Sequence, residues 1–237
     1  MKPSGATLTT VLALGALGLG TWGTAHGQTP TTRYASMAPV AQYLMTSRAA
    51  EIALARSAAP DSISRDAQVL VLGAQGYESA ASGTNGFVCV VERSWTSPID
   101  APEFWNPTIR SPICFNAAAA RSYLPLELRK TRLVLAGLSK AQMADSITAG
   151  LDQKTLPALE AGAMCYMLSK RAHLSDRDGR WHPHLMFFVP ERDSGTWGAN
   201  LPGSPILAAA DAPDRVTIFM VPVARWSDGT PDQQAGR

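Results

Sequence analysis

The length, composition and charge of the chain set its broad class. Its 237 residues are 46% hydrophobic and 17% charged, which is typical of a globular protein and not of a disordered one. The formal net charge is +2, and aromatic residues make up 7% of the chain. A near-neutral chain lacks the basic surface that nucleic-acid-binding proteins use, so we predict that nucleic acid is not a partner.

The N-terminal residues 1–27 have the pattern of a secretory signal peptide. Lys2 supplies a short basic region, the apolar run 11–20 follows it, and small residues precede the predicted cleavage before Gln28. The apolar run is too short to remain in a bilayer, because a membrane-spanning helix needs about 20 residues. We therefore predict export to the periplasm or beyond, with no transmembrane helix after signal cleavage.

The first half of the predicted mature chain contains a helix and a group of strands. Apolar residues recur near the helical period over residues 36–58, and Pro60 ends the pattern. Residues 67–72 and 87–93 are rich in β-branched and apolar residues, which favours strands. Asn85-Gly86 lies between them and is typical of a tight hairpin turn. We predict a meander of two or three strands here.

A proline-rich segment over residues 94–112 follows these strands. Proline cannot pair within a central sheet, so the segment is predicted to be a long surface loop. Cys89 and Cys114 flank it and are predicted to form a disulfide that ties it down, as expected in an exported protein. Aromatic residues of the loop either line a binding groove or simply pack the loop onto the domain. These residues are Trp95, Phe104 and Trp105.

The second half of the chain alternates helices and strands. Helices are predicted over residues 125–137 and 140–149, and Ser139 with Gln142 matches a capping box at the start of the second. The run from His182 to Pro190 is the most concentrated apolar stretch of the mature chain, which favours a central strand. Two further strands are predicted over residues 162–168 and 215–223.

These elements predict one α+β domain over residues 28–225. Its core is a mainly antiparallel sheet of five or six strands, with about three helices packed on it. Residues 226–237 are polar and contain Pro and Gly, so we expect a flexible C-terminal tail.

Two histidines at the start of the apolar run are candidate metal ligands. In a strand, His182 and His184 project from the same face, which is the spacing of many His-x-His metal pairs. Alternatively, one histidine is exposed at the mouth of the hairpin and the other has its hydrogen bonds satisfied within the sheet. Candidates for a third ligand are Glu92, Cys165, His173 and Glu191.

The third cysteine, Cys165, is a candidate nucleophile. It lies on a strand that we expect to neighbour the strand of His184, and a thiol beside an imidazole is the minimum for a nucleophilic cysteine. Glu92 is the candidate acid or orienting group for this pair. Against this reading, Met164, Tyr166 and Met167 surround the thiol with apolar side chains, which is typical of a cysteine that only fills the core.

Two function hypotheses follow from these patterns. The first is an exported, non-catalytic module that binds an unknown ligand or an envelope protein. The second is a small hydrolase or metal-dependent enzyme that uses His182 and His184 with Cys165. No motif identifies a cofactor.

Overall fold

The sheet is the main element of the fold. The computed structural model describes residues 33–191, 195 and 197–233, so the predicted signal peptide over 1–27 lies outside the described residues. Eight strands form one sheet in the spatial order β2-β1-β3-β4-β5-β6-β8-β7. The strands are β1 (Gln68–Gly73), β2 (Gly76–Ala81), β3 (Val88–Glu92), β4 (Ser111–Phe115), β5 (Met164–Met167), β6 (His184–Pro190), β7 (Leu207–Asp211) and β8 (Val216–Pro222).

Five α-helices accompany the sheet among the described residues. They are α1 (Arg48–Arg56), α2 (Asp61–Ser64), α3 (Ala117–Ser122), α4 (Leu124–Leu135) and α5 (Lys140–Asp152). The side chain of Ser47 accepts a hydrogen bond from the backbone N–H of Ala50, so α1 begins there and not near residue 36 as predicted. The predicted capping box of Ser139 and Gln142 is present at the start of α5.

The prediction of a five- or six-stranded, mainly antiparallel sheet with three helices is wrong. The sheet has eight strands and is mixed, because β1 and β3 pair in parallel. The Asn85-Gly86 turn does not join them as a hairpin. Instead, β2 folds back on β1 at the edge of the sheet, and the chain then returns to the other side of β1. The carbonyl oxygen of Asp66 holds this return by accepting hydrogen bonds from the N–H groups of Thr84 and Asn85.

Strand β4 begins in the last two residues, 111 and 112, of the segment predicted to be a loop. Pro112 pairs with Val91 in the register of β3 and β4. Two residues earlier, Arg110 exchanges backbone hydrogen bonds with His173, on the side of the strand away from β3. Backbone groups alternate along a strand, so the nitrogen of Pro112 faces the same side and its missing N–H removes no bond to β3.

Helices pack on both faces of the sheet. On the first face, α1 contacts β1, β3 and β4, and its Leu54 and Ala55 meet Val69 and Val91. On the second face, α3 and α4 cover the alternate residues of the same strands. The core of this second face includes Val90, Ile113, Phe115, Tyr123, Cys165 and Phe188. We call it the α4 face, and it positions the candidate site.

The predicted disulfide between Cys89 and Cys114 is confirmed. The two residues lie opposite each other in the register of β3 and β4, and both are buried. The aromatic residues of the intervening segment, Trp95, Phe104 and Trp105, are also buried, and they pack with side chains of α4 and α5. Trp105 in addition borders an open depression next to Lys140. Among the described residues, no helix combines the length and the hydrophobicity needed to cross a bilayer.

Candidate functional site

The structure places Cys165 and His184 on neighbouring strands of the α4 face. Cys165 lies opposite Met186 and His184 lies opposite Met167, so the thiol and the imidazole are diagonal neighbours. Cys165 is 0% exposed, and His184 is also buried. The Nδ1 atom of His184 donates a hydrogen bond to the carbonyl oxygen of His182, and no hydrogen bond joins the imidazole to the thiol within the described residues.

Burial makes both members of this pair unreactive at neutral pH. It raises the pKa of the Cys165 thiol well above its usual range, and the nearby Glu92 raises it further. Burial also lowers the pKa of His184 to about 4. The thiol is therefore protonated and the imidazole is uncharged, whereas a nucleophilic cysteine needs a thiolate.

The state of Cys165 can be tested by alkylation. We expect iodoacetamide to modify native Cys165 at pH 7 more than ~100-fold more slowly than the unfolded chain, because only global opening exposes a core thiol. Intact mass, recorded before and after unfolding without reduction, reports one added group in the unfolded state only. Rapid alkylation of the native protein at Cys165 would contradict this and would favour the enzyme hypothesis.

The predicted metal ligands do not converge. His182 lies just before β6, and its Nδ1 atom is 2.6 Å from Oδ2 of Asp232. His173 instead contacts Asp176, with 3.4 Å between Nε2 and Oδ1. Among the described residues, no group of three His, Cys, Asp or Glu side chains is arranged to hold a metal ion.

Glu92 belongs to a different group, which we call the buried acid cluster. Four carboxyl groups surround one ammonium group on the α4 face, and all five side chains are buried. Lys130 Nζ contacts Oδ2 of Asp214, lies 3.4 Å from Oε1 of Glu127 and lies 3.5 Å from the carbonyl oxygen of Thr96. The cluster consists of Glu92, Glu127, Lys130, Asp211 and Asp214.

Three elements bring the buried acid cluster together. Glu92 ends β3, and Glu127 and Lys130 lie one turn apart on α4. Asp211 ends β7, and Asp214 lies in the turn between β7 and β8. Lys130 falls on the apolar face of α4, four residues after Leu126 and four before Val134, both of which are buried. Its long apolar stem suits this position, whereas its charge requires the carboxylates.

The cluster has four carboxyl groups and one ammonium group, so Lys130 alone cannot neutralise all four acids in their ionised form. Burial raises the pKa of Glu92 to about 7, although Lys130 and the hydroxyl of Thr96 oppose the shift. Burial also raises the pKa of Glu127 well above its usual range, with Glu92 and Asp214 adding to the effect. Burial alone would lower the pKa of Lys130, but Glu127 and Asp214 raise it, so the ammonium stays charged. Protons on the glutamates therefore offset the excess negative charge.

Two oxygens of the cluster lack partners. Oε1 of Glu92 and Oε2 of Glu127 are buried and accept no hydrogen bond from the described residues. Buried carboxyl oxygens without partners are costly, and acids with strongly perturbed pKa values mark a functional-site candidate.

A cavity of about 180 Å³ adjoins the buried acid cluster. Asp214 and Tyr123 bring polar groups to its lining, and burial together with the nearby Glu127 raises the pKa of Tyr123. Its walls are mainly apolar. They include Leu126 from α4, Leu151 from α5, Leu159 from the following connection and Val216 from β8. A dry cavity of about 150 Å³ already accommodates a benzene ring, so this one has room for a single ring with a polar substituent.

Comparison with known proteins gives no match. No protein-family model, no curated protein and no solved structure matches the chain. The cavity and the buried acid cluster are therefore the main structural indications of function.

Proposed function

We propose that the protein is an exported, non-catalytic binding protein for a small amphipathic cation, such as a primary amine that carries one ring. The observation that carries this proposal is the mainly apolar cavity lined in part by Asp214, a member of a buried cluster with four carboxyl groups and one ammonium group. The N-terminal pattern and the disulfide support export.

Charge complementarity selects a cation over an anion. With both glutamates of the cluster counted as protonated, the carboxyl groups of Asp211 and Asp214 still share one ammonium, and burial together with Asp214 raises the pKa of Asp211. The cluster therefore has an excess of carboxyl groups over ammonium groups. A ligand ammonium near Asp214 would offset this excess, whereas a carboxylate there would add to it. At the rim, Arg215 is paired with Asp152 at 2.7 Å, so its charge is partly offset before any ligand enters.

The apolar walls favour a ligand with an apolar body. Among the described residues, only Asp214, Tyr123, Ser122 and Arg215 bring polar side chains to the lining, and the hydroxyl of Ser122 already donates to the carbonyl oxygen of Ala118. A ligand of one ring and one ammonium therefore matches the cavity in both volume and polarity.

The test compares three ligands of the same shape. We expect benzylamine to bind the folded mature protein at pH 7 at least ~10-fold more tightly than benzyl alcohol, which is about 1.4 kcal/mol, and benzoate to bind more weakly still. Isothermal titration in two buffers of different ionisation enthalpy should also show proton release. The pKa of Glu92 is about 7, and the positive charge of the bound ligand favours its ionised form. Glu92 therefore releases protons when the ligand binds.

Two variants locate the binding. Leu151→Trp fills the cavity and leaves the buried acid cluster intact, so it should abolish binding of benzylamine. Asp145→Asn changes an exposed carboxylate on the same helix, outside the lining, and serves as the matched control. Equal affinity for benzyl alcohol and benzylamine, or unchanged binding by the Leu151→Trp variant, would overturn the proposal.

A further inference from the structure

A second cleft, which shares no lining residue with the amine cavity, has the opposite charge character. It has a volume of about 480 Å³ and lies between the β5–β6 connection and the C-terminal segment 224–233. Lys170 and Arg180 bring cationic side chains to it, and Trp226, Thr230 and Asp232 form much of the opposite wall. We call it the Arg180 cleft.

The C-terminal wall of the Arg180 cleft is held by backbone hydrogen bonds. The N–H of Ser227 donates to the carbonyl oxygen of Leu168, and the N–H of Asp232 donates to that of Ala224. Trp226 is only 6% exposed. These contacts lie within the stretch predicted as a flexible tail, of which residues 234–237 lie outside the described residues. The wall is therefore formed before any ligand binds.

The acidic groups of the Arg180 cleft already have partners. Asp232 is buried, and its Oδ2 lies 2.6 Å from Nδ1 of His182. Asp228, at the edge of the cleft, accepts hydrogen bonds from Lys170 at 2.9 Å and from the hydroxyl of Thr230 at 2.6 Å. Both carboxylates are thus directed toward groups other than Arg180.

Arg180 is the cation that remains available. Its guanidinium lies over the ring of Trp226, 5.7 Å from the centroid. No described residue places a carboxylate within ion-pair distance of it. Stacking on an indole restricts the orientation of the guanidinium and leaves its edge free to donate hydrogen bonds.

We propose that the Arg180 cleft binds an oxyanion, a carboxylate or a phosphate group of a small ligand, through a bidentate contact with Arg180. The planar fork of an arginine matches two oxygens of either group, and Lys170 adds a second positive charge nearby. This site is independent of the amine cavity and does not rest on the proposed function.

The experiment titrates the folded mature protein with inorganic phosphate and, separately, with acetate, at constant ionic strength maintained with chloride. Isothermal titration and tryptophan fluorescence report binding beside Trp226. We expect saturable binding of at least one of these anions. Saturation by phosphate alone assigns the phosphate class, and saturation by acetate alone or by both assigns a general oxyanion site.

Two variants make the outcome specific. Arg180→Lys keeps the charge but removes the fork, and it should weaken binding ~10-fold. Arg177→Ala is the matched control, because Arg177 lies in the same connection, is 87% exposed and pairs with Asp178. Binding of benzylamine should be unchanged in both variants. The proposal is overturned if neither anion saturates the protein, or if Arg177→Ala weakens binding as much as Arg180→Lys.

Discussion

Replacing Lys130 with Met is expected to lower the free energy of unfolding at pH 7 by about 3–5 kcal/mol, the range for breaking a buried ion pair by removing one partner. The side chain of Lys130 is 4% exposed and contacts the carboxylates of Asp214 and Glu127. Methionine fills a similar volume but leaves these acids without a cation. Urea denaturation at pH 7 measures the loss.

The pH dependence of this variant identifies the cause. Burial raises the pKa of Glu92 and of Asp211, and Lys130 lowers both, so without the ammonium these pKa values should rise further in the folded protein. The stability that these two groups contribute is then fully present at low pH and is lost as pH rises. The loss caused by Lys130→Met should therefore be smaller at pH 5 than at pH 7. An equal loss at both pH values would indicate a packing defect instead.

The neighbouring arginine provides the control for this variant. Arg129 is exposed on the same helix and donates a hydrogen bond to the hydroxyl of Ser146. Arg129→Met should change the free energy of unfolding by no more than about 0.5 kcal/mol. A comparable loss in both variants would show that substitutions on α4 are destabilising for reasons unrelated to the buried acid cluster.

The strands that could be predicted from sequence are those with their own apolar pattern. Residues 67–72, 87–93 and 182–190 all overlap observed strands, because their runs of β-branched and apolar side chains suit a covered sheet. Strands β2, β4 and β7 have weaker patterns, with Gly-Tyr-Glu-Ser-Ala-Ala, Ser-Pro-Ile-Cys-Phe and Leu-Ala-Ala-Ala-Asp. Their conformation depends on pairing with neighbours, which a local pattern does not report.

The order of the strands required information that local sequence does not contain. An Asn-Gly turn between two apolar runs favours a hairpin, yet here β2 occupies the hairpin position and β3 lies parallel to β1 on its other side. The capping box of Ser139 and Gln142, in contrast, acts within four residues and was predictable. Local hydrogen bonds are readable from sequence, whereas non-local pairing is not.

The candidate site was predictable only in part. Glu92 is a candidate site residue in the sequence analysis, whereas its partner Lys130 is not. The helical period offered a signal, because Lys130 falls on the buried stripe between Leu126 and Val134. Asp214 lies 84 residues beyond Lys130, and Asp232 lies 50 beyond His182, so these contacts form only when the sheet is assembled.

Replacing Glu92 with Gln is expected to remove much of the pH dependence of stability between about pH 4.5 and pH 7. Burial raises the pKa of Glu92 from an ordinary 4.5 to about 7 in the folded protein. The folded state then holds this proton more tightly than the unfolded state. The stability from this group is fully present below about pH 4.5 and is lost as pH rises to about 7, a change of about 3 kcal/mol.

Glutamine cannot ionise, so the variant does not undergo this loss. We expect urea denaturation of both proteins at pH 4.5, 6, 7 and 8 to show a changing difference in free energy of unfolding. Relative to the native protein, Glu92→Gln should become more stable by about 3 kcal/mol as pH rises across the series. The slope is the readout, because any packing change in the variant shifts all four values together. Glu78→Gln, at an exposed carboxylate paired with Arg48, should leave the slope unchanged. If the native protein and Glu92→Gln lose stability in parallel as pH rises, Glu92 is already ionised in the folded state at acidic pH, and a proton on Glu92 does not offset the excess negative charge of the cluster.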